Sequence, residues 1–120
     1  MIREFLKSKI HRATVTKVNL HYNGSLSIDE EIMEKSGILV NERIYVYNIH
    51  TGYRFDTYAI KAPRGSKEIG LNGAAARLGA VGDLIIIVSY CYLTEEEMPS
   101  HKARIIVLGE GNHIREIIET

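Results

Sequence analysis

The chain has 120 residues, and 15 lysines and arginines balance 15 aspartates and glutamates, so its formal net charge is zero. A neutral chain lacks the basic face that displaces counterions from phosphates, which argues against a general nucleic-acid binder. One domain spanning 1–120 is expected, long enough to bury roughly two-thirds of its unfolded surface without a disulfide or metal staple.

The opening "MIREFLKSKI" has no long apolar core, and no apolar run approaches the ~18 residues of a membrane span. A cytoplasmic protein with no membrane partner is expected. "TVTKVNLHY" alternates apolar and polar residues and predicts a strand over 14–22. Asn23-Gly24 follows; taken alone, this pair predicts a type I′ hairpin turn, because both residues tolerate positive φ. "SLSIDEEIMEKSGI" then changes character. Asp29 is a candidate N-cap, Glu30 and Glu31 suit a first turn, and Gly37 suits the position past the end, so a short helix is predicted over 30–36.

"ERIYVYNI", the turn "HTG" and "YRFDTYAIK" predict a hairpin. "APRGS" reads as a loop and "KEIGL" as a short strand. "NGAAARLG" predicts one or two helical turns, with Asn72 before the alanine run and Gly79 after it. "VGDLIIIVSYCYL" predicts a long buried strand. Its Cys91 is the only cysteine, with no disulfide partner and no metal-ligand spacing nearby, and reads as a buried, inert thiol. "EEEMPSHK" reads as an exposed acidic loop, "ARIIVLG" as the last strand, and "NHIREIIET" as a terminal helix or a frayed tail. The sum is a mainly-β domain of six or seven short strands with two or three short helices, in the form of a small barrel.

Familiar chemistry is scarce. The five histidines form no pair at metal-binding spacing, so no metal site is expected. The glycine-containing stretches fit neither a Walker loop nor a dinucleotide fingerprint. The serines have no nucleophile elbow around them. Lys9, His11 and Arg12 form a small basic cluster more suited to an anion than to a metal.

"YNGS" changes meaning beside "FLKSKIHR", "YRFDTYAI", "RGS" and "LNGAAARLGAVGD". In this order these stretches resemble the aspartate 1-decarboxylase family, and the likeness covers nearly the whole chain. The resemblance implies a double-psi β-barrel assembled as a homotetramer. It also implies an inactive precursor that cleaves itself between Gly24 and Ser25, giving a β chain of residues 1–24 and an α chain of residues 25–120. Ser25 then becomes a pyruvoyl group, the only cofactor, with no metal and no pyridoxal phosphate. The implied reaction takes L-aspartate to β-alanine and CO2 for pantothenate and coenzyme A synthesis. A maturation helper protein is a further partner the resemblance leaves open. One position departs from the family, which usually carries glutamate where this chain has Asn23.

By the same resemblance, Ser25 attacks the Gly24 carbonyl, and glycine there leaves the carbonyl unhindered and tolerates strained angles. Thr57 is the expected oxyanion donor, with Asn72 close to the nascent carbonyl and capping the alanine helix. The pyruvoyl ketone holds the substrate amine as a Schiff base and accepts electrons, the work of pyridoxal phosphate elsewhere. Aspartate brings two carboxylates, so fixed cations are needed. Arg54 is expected on the α-carboxylate and Lys9, with His11, on the other. Tyr58 is the expected proton donor, since a tyrosine phenol ordinarily keeps its proton at neutral pH. Gly73, Ala74 and Ala75 are expected to offer backbone N–H groups to the substrate. Arg54 and Tyr58 lie four apart and share a strand face, whereas Thr57 points the other way unless a bulge near Asp56 turns it. The alternative is a non-catalytic barrel that binds a small anion or a protein partner.

Overall fold

The segment Arg3–Thr14 forms a twelve-residue strand, β1, although its sequence shows no sustained alternation. The structure, a computed structural model describing residues 1–120, explains this with two bulges. Against β7 (Leu84–Leu93), Leu6 pairs with Tyr90 and Ser8 with Ser89, so Lys7 is an extra residue. Ile10 pairs with Ile87 and Ala13 with Ile85, so His11 and Arg12 together stand against the single Ile86. Arg12 carries the bend, with φ at +62°. Each bulge resets the phase of the period-two pattern, which hides the strand from a periodicity reading.

The strand expected over 14–22 is broken. Thr14 closes β1, β2 is only Lys17–Asn19, and the chain turns at Leu20 and His21. The linking Val15 and Thr16 donate backbone N–H bonds of 2.9 Å to Asp83 and Ile69. β3 is Ser25–Asp29, and α1 follows as Glu30–Ser36, with the bounds its caps predict. Asp29 accepts from the Glu31 N–H at 2.8 Å, and Gly37 closes the helix at φ +79°. β4 (Arg43–Asn48) and β5 (Arg54–Ala62) form the predicted hairpin.

β6 (Ile69–Asn72) leads into Gly73–Leu78, which is a 3₁₀ segment rather than an α-helix. After β7, residues 94–103 loop to β8 (Arg104–Leu108), and β9 (Ile114–Glu119) ends the chain. The expected terminal helix or frayed tail is therefore a strand, with Ile118 opposite Ile105 and Ile117 opposite Ile106. β1, β3 and β9 are strands the local pattern did not predict, and the total is nine.

The strand order is β2-β6-β3-β5-β4-β7-β1-β8-β9. β6 is inserted between β2 and β3, which are joined by one loop, and β1 is inserted between β7 and β8, which are joined by another. Each insertion makes a psi motif, so the fold is a double-psi β-barrel. β2 is first in the strand order and β1 seventh, yet they are joined by two residues, which obliges the sheet to curl on itself. The enclosed core takes Ile10, Leu26, Ile44, Leu71, Ile87 and Ile106 from six different strands, all fully buried. Each contributes about 1.5–3 kcal/mol by leaving water. Cys91 is half-buried rather than buried, and burial pushes its thiol pKa up, away from the reactive thiolate. No helix is long and apolar enough to cross a membrane.

Candidate active site

Asn23-Gly24 does not make a hairpin. β2 and β3 do not pair with each other, because β6 lies between them, and neither Asn23 nor Gly24 has positive φ. A Cβ placed on Gly24 would meet nothing within 4 Å, so this glycine is neither strained nor crowded on that side. The crowding comes from across the strand pair. Gly73 has φ +65°, and a Cβ on it would lie 2.6 Å from the Gly24 Cα and 2.7 Å from the Gly24 nitrogen. Only glycine at 73 lets the 72–73 backbone press against the 24–25 linkage.

Ser25 begins β3 and pairs directly with Asn72 of β6. It is only 1% exposed. Its hydroxyl donates to the Asn23 carbonyl at 3.1 Å and accepts from Asn72 Nδ2 at 3.1 Å. Asn72 Nδ2 also donates to Ser27 Oγ at 2.8 Å, so both hydrogens of the amide are engaged. The expected cap does not form: Asn72 makes no side-chain bond to the segment after it and serves the two serines instead. Ser27 was not anticipated from sequence. The signal was present, because a residue two past Ser25 on a strand shares its face. Asn72 and Ser27 also line a cavity of about 360 Å³ with Tyr22, Lys17, Lys61 and Glu68, which Ser25, Arg54 and Tyr58 do not reach.

β5 flanks β3 on its other side. The parallel register Leu26–Ala59, carried back one and two residues, sets Ser25 level with Tyr58 and Gly24 level with Thr57. No bulge occurs near Asp56: the β4–β5 pairs run without interruption from Arg43–Tyr58 to Tyr47–Arg54. Arg54 and Tyr58 therefore share the outer face, and Thr57, opposite the buried Ile44, takes the inner one. Thr57 and Tyr58 therefore take opposite faces of β5, and the bulge that would have brought Thr57 to the face of Arg54 and Tyr58 does not form.

Arg54 makes no ion pair. Its guanidinium lies over the Tyr47 ring, with Cζ 3.8 Å from the centroid. Arg43, on the same outer face, is occupied by Asp56 at 3.0 Å. Lys9 and His11 lie on β1, four strands from β3 in the strand order. His11 Nδ1 is buried without a partner, and burial first, then the Lys9 and Arg12 charges, hold its pKa below the ordinary histidine value. Within one chain, then, Gly24, Ser25, Ser27, Asn72 and Gly73 come together, with Thr57 and Tyr58 on the neighbouring strand. Arg54 stands four residues along β5 from Tyr58, about 13 Å away, and Lys9 and His11 lie on β1. Of the alanines after Gly73, Ala75 is buried and Ala74 exposed. No group of three His, Cys, Asp or Glu side chains is placed to hold a metal.

Comparison with known proteins shows the family. The sequence profile of the family described as Aspartate decarboxylase matches residues 1–115. The chain belongs to the aspartate decarboxylase family. It is 58% identical over 114 residues to the Aspartate 1-decarboxylase of Caldicellulosiruptor saccharolyticus, covering 95% of this chain and 89% of that one. It is 51% identical to the protein of the same description from Ralstonia pickettii over the full length of both chains. With the Hyphomonas neptunium relative it shares 50% identity over 115 residues, 96% of this chain and 98% of the other. The aspartate decarboxylase family match covers the stretches that hold Gly24, Ser25, Arg54 and Asn72.

Proposed function

We propose that this protein decarboxylates L-aspartate to β-alanine and CO2 for pantothenate synthesis, using a pyruvoyl group made from its own Ser25. The observation that carries this is the Ser25 cradle: a buried serine directly after a glycine, its hydroxyl bonded to Asn72, with Gly73 packed against the Gly24 Cα and nitrogen. Those residues fit the making of such a group, because they present a hydroxyl, a donor and a glycine carbonyl at one peptide bond.

Ser25 Oγ attacks the Gly24 carbonyl carbon. The C–N bond breaks, an ester to Oγ forms, and the hydroxyl proton passes to the Ser25 nitrogen. Loss of the Ser25 α-proton then breaks the Cβ–Oγ bond and frees the Gly24 carboxylate. The dehydroalanine left behind takes up water, loses ammonia and becomes the ketone. Asn72 donates to Oγ, and Thr57, level with Gly24, is the donor for the carbonyl oxygen. Losing one such donor typically slows a step on the order of 10²–10³-fold. The products are residues 1–24 and 25–120.

The pyruvoyl group supplies an electron sink for the carbon that loses CO2. Arg54 grips one carboxylate with its planar fork, and Lys9, near His11, holds the other. A tight pair on the departing carboxylate would stabilise the ground state as much as the transition state, so Arg54 orients more than it holds. Tyr58, level with Ser25, returns a proton to the carbon. The working assembly is a homotetramer, as family membership implies.

Intact-mass measurement tests the reading. The expected result is two fragments, 1–24 and 25–120, the larger one resisting N-terminal sequencing and lighter by one ammonia than its serine form. Borohydride with aspartate should add mass to that fragment alone. A fully active protein with an unbroken 24–25 bond overturns the proposal. Cleavage of the purified chain, against cleavage only after lysate is added, separates intrinsic maturation from help by a second protein.

A further inference from the structure

Two arginines share the outer face of the β4–β5 hairpin and are treated differently. Arg43 is neutralised by Asp56 at 3.0 Å. Arg54 has no carboxylate within reach, and its one defined neighbour is the face of Tyr47, directly opposite it in the β4–β5 register. A guanidinium stacked on a ring uses its π face and leaves its in-plane N–H fork free. The orientation of that ring therefore decides where the fork points.

The ring is itself held. The Tyr47 hydroxyl meets the Tyr90 hydroxyl at 2.8 Å, across from β4 to β7. Tyr90 is braced edge-on by Tyr45, with centroids 5.4 Å apart. The hydroxyl bond to Tyr47, with burial second, pushes the Tyr90 pKa up to about 12, so the phenol stays protonated across the working range of an enzyme. None of this machinery is needed for the core, which lies on the other face of the same strands, at Ile44, Val46, Ile85 and Ile87.

We propose that Tyr90 is a positioning residue for substrate binding: its hydroxyl pins the Tyr47 ring as the platform for Arg54 and so sets the direction of the Arg54 grip on a carboxylate. This rests on the reading of Arg54 as a carboxylate ligand given above. Tyr90 touches no substrate; it acts through Tyr47. Removing either hydroxyl unpins the ring and leaves Arg54 to sample directions in which its fork misses the carboxylate.

The test is a double-mutant cycle on the processed enzyme with aspartate as substrate. Tyr90→Phe and Tyr47→Phe each raise KM about fivefold, the worth of one hydroxyl–hydroxyl bond, with a smaller change in kcat. The double variant is no worse than either single, because both remove the same bond. Tyr47→Leu, which removes the platform, raises KM about tenfold or more. All variants keep wild-type processing. Additive effects of the two Phe variants, unchanged KM, or a fall in kcat at constant KM overturns the inference. Arg54→Lys separates the two levels. If it raises KM and Tyr90→Phe does not, the positioning role fails alone; if it leaves KM unchanged, the assignment of Arg54 to the carboxylate fails with it.

Discussion

Gly73→Ala tests whether the proposed self-cleavage depends on the close approach of Gly73 to Gly24. The new Cβ would stand 2.6 Å from the Gly24 Cα, against 3.4–4 Å for an ordinary contact, so the linkage must retreat by about 1 Å. A misplacement of ~1 Å at a reacting centre costs on the order of 10²-fold in rate. The substitution also places an L side chain at φ +65°, worth about 1–2 kcal/mol of stability, or about 4–8 °C in a domain of this size. Gly65→Ala is the control. Gly65 has φ +82° and nothing within 4 Å of its Cβ position, so it carries the conformational strain without the clash. The assay follows fresh precursor by intact mass over time, beside thermal melts. Both variants should lose similar stability, and only Gly73→Ala should slow cleavage, by about 10²-fold. Cleavage of Gly73→Ala at the wild-type rate, or equal slowing in Gly65→Ala, would refute the claim that contact rather than strain is what matters.

Asn72→Ala removes the donor shared by Ser25 and Ser27; precursor cleavage should slow on the order of 10²-fold, read by the same mass time course. Asp29→Asn strips charge from a buried carboxylate that accepts the N–H groups of Glu31, Gly65 and Lys67, and should cost about 2–3 kcal/mol in chemical denaturation at pH 7. Burial raises the Asp29 pKa, but the N–H groups of Lys67, Gly65 and Glu31 outweigh it and hold the folded value below the ordinary one. Its stabilisation is therefore complete above about pH 4 and declines as pH falls through the lower folded value, a decline in melting temperature that the Asn variant should lack. His11 acts in the same sense at higher pH. Its folded pKa is lowered, so the unfolded chain takes the proton first and stability falls as pH drops below about 6.5; His11→Gln should flatten that part of the melting-temperature profile.

Elements with local signals were legible. The helix 30–36 follows from Asp29 and Gly37, and both of those residues act as caps in the structure. The β4–β5 hairpin follows from unbroken alternation of β-branched and aromatic residues. β1 was hidden because its bulges at Lys7 and at His11–Arg12 twice reverse which residues face inward. β9 was misread for the opposite reason. Ile114, Ile117 and Ile118 have helical spacing, and pairing with β8 overrides it. Asn23-Gly24 carries a hairpin signal that the insertion of β6 cancels, since the two flanking strands each find a better partner in β6.

The sequence by itself determined the reagents: a Gly-Ser bond, a free arginine, a tyrosine one residue past a threonine, and the short motifs that mark the family along the whole chain. Only the tertiary structure decided which of them meet. Asn72 reaches Ser25 across 47 residues, and Gly73 touches Gly24 because β6 threads between β2 and β3. It also decided that β5 carries no bulge near Asp56, so Thr57 faces away from Arg54 and Tyr58. The reason is range. Propensity and periodicity act over a few residues, whereas strand order and register are set by how the whole barrel closes around its core.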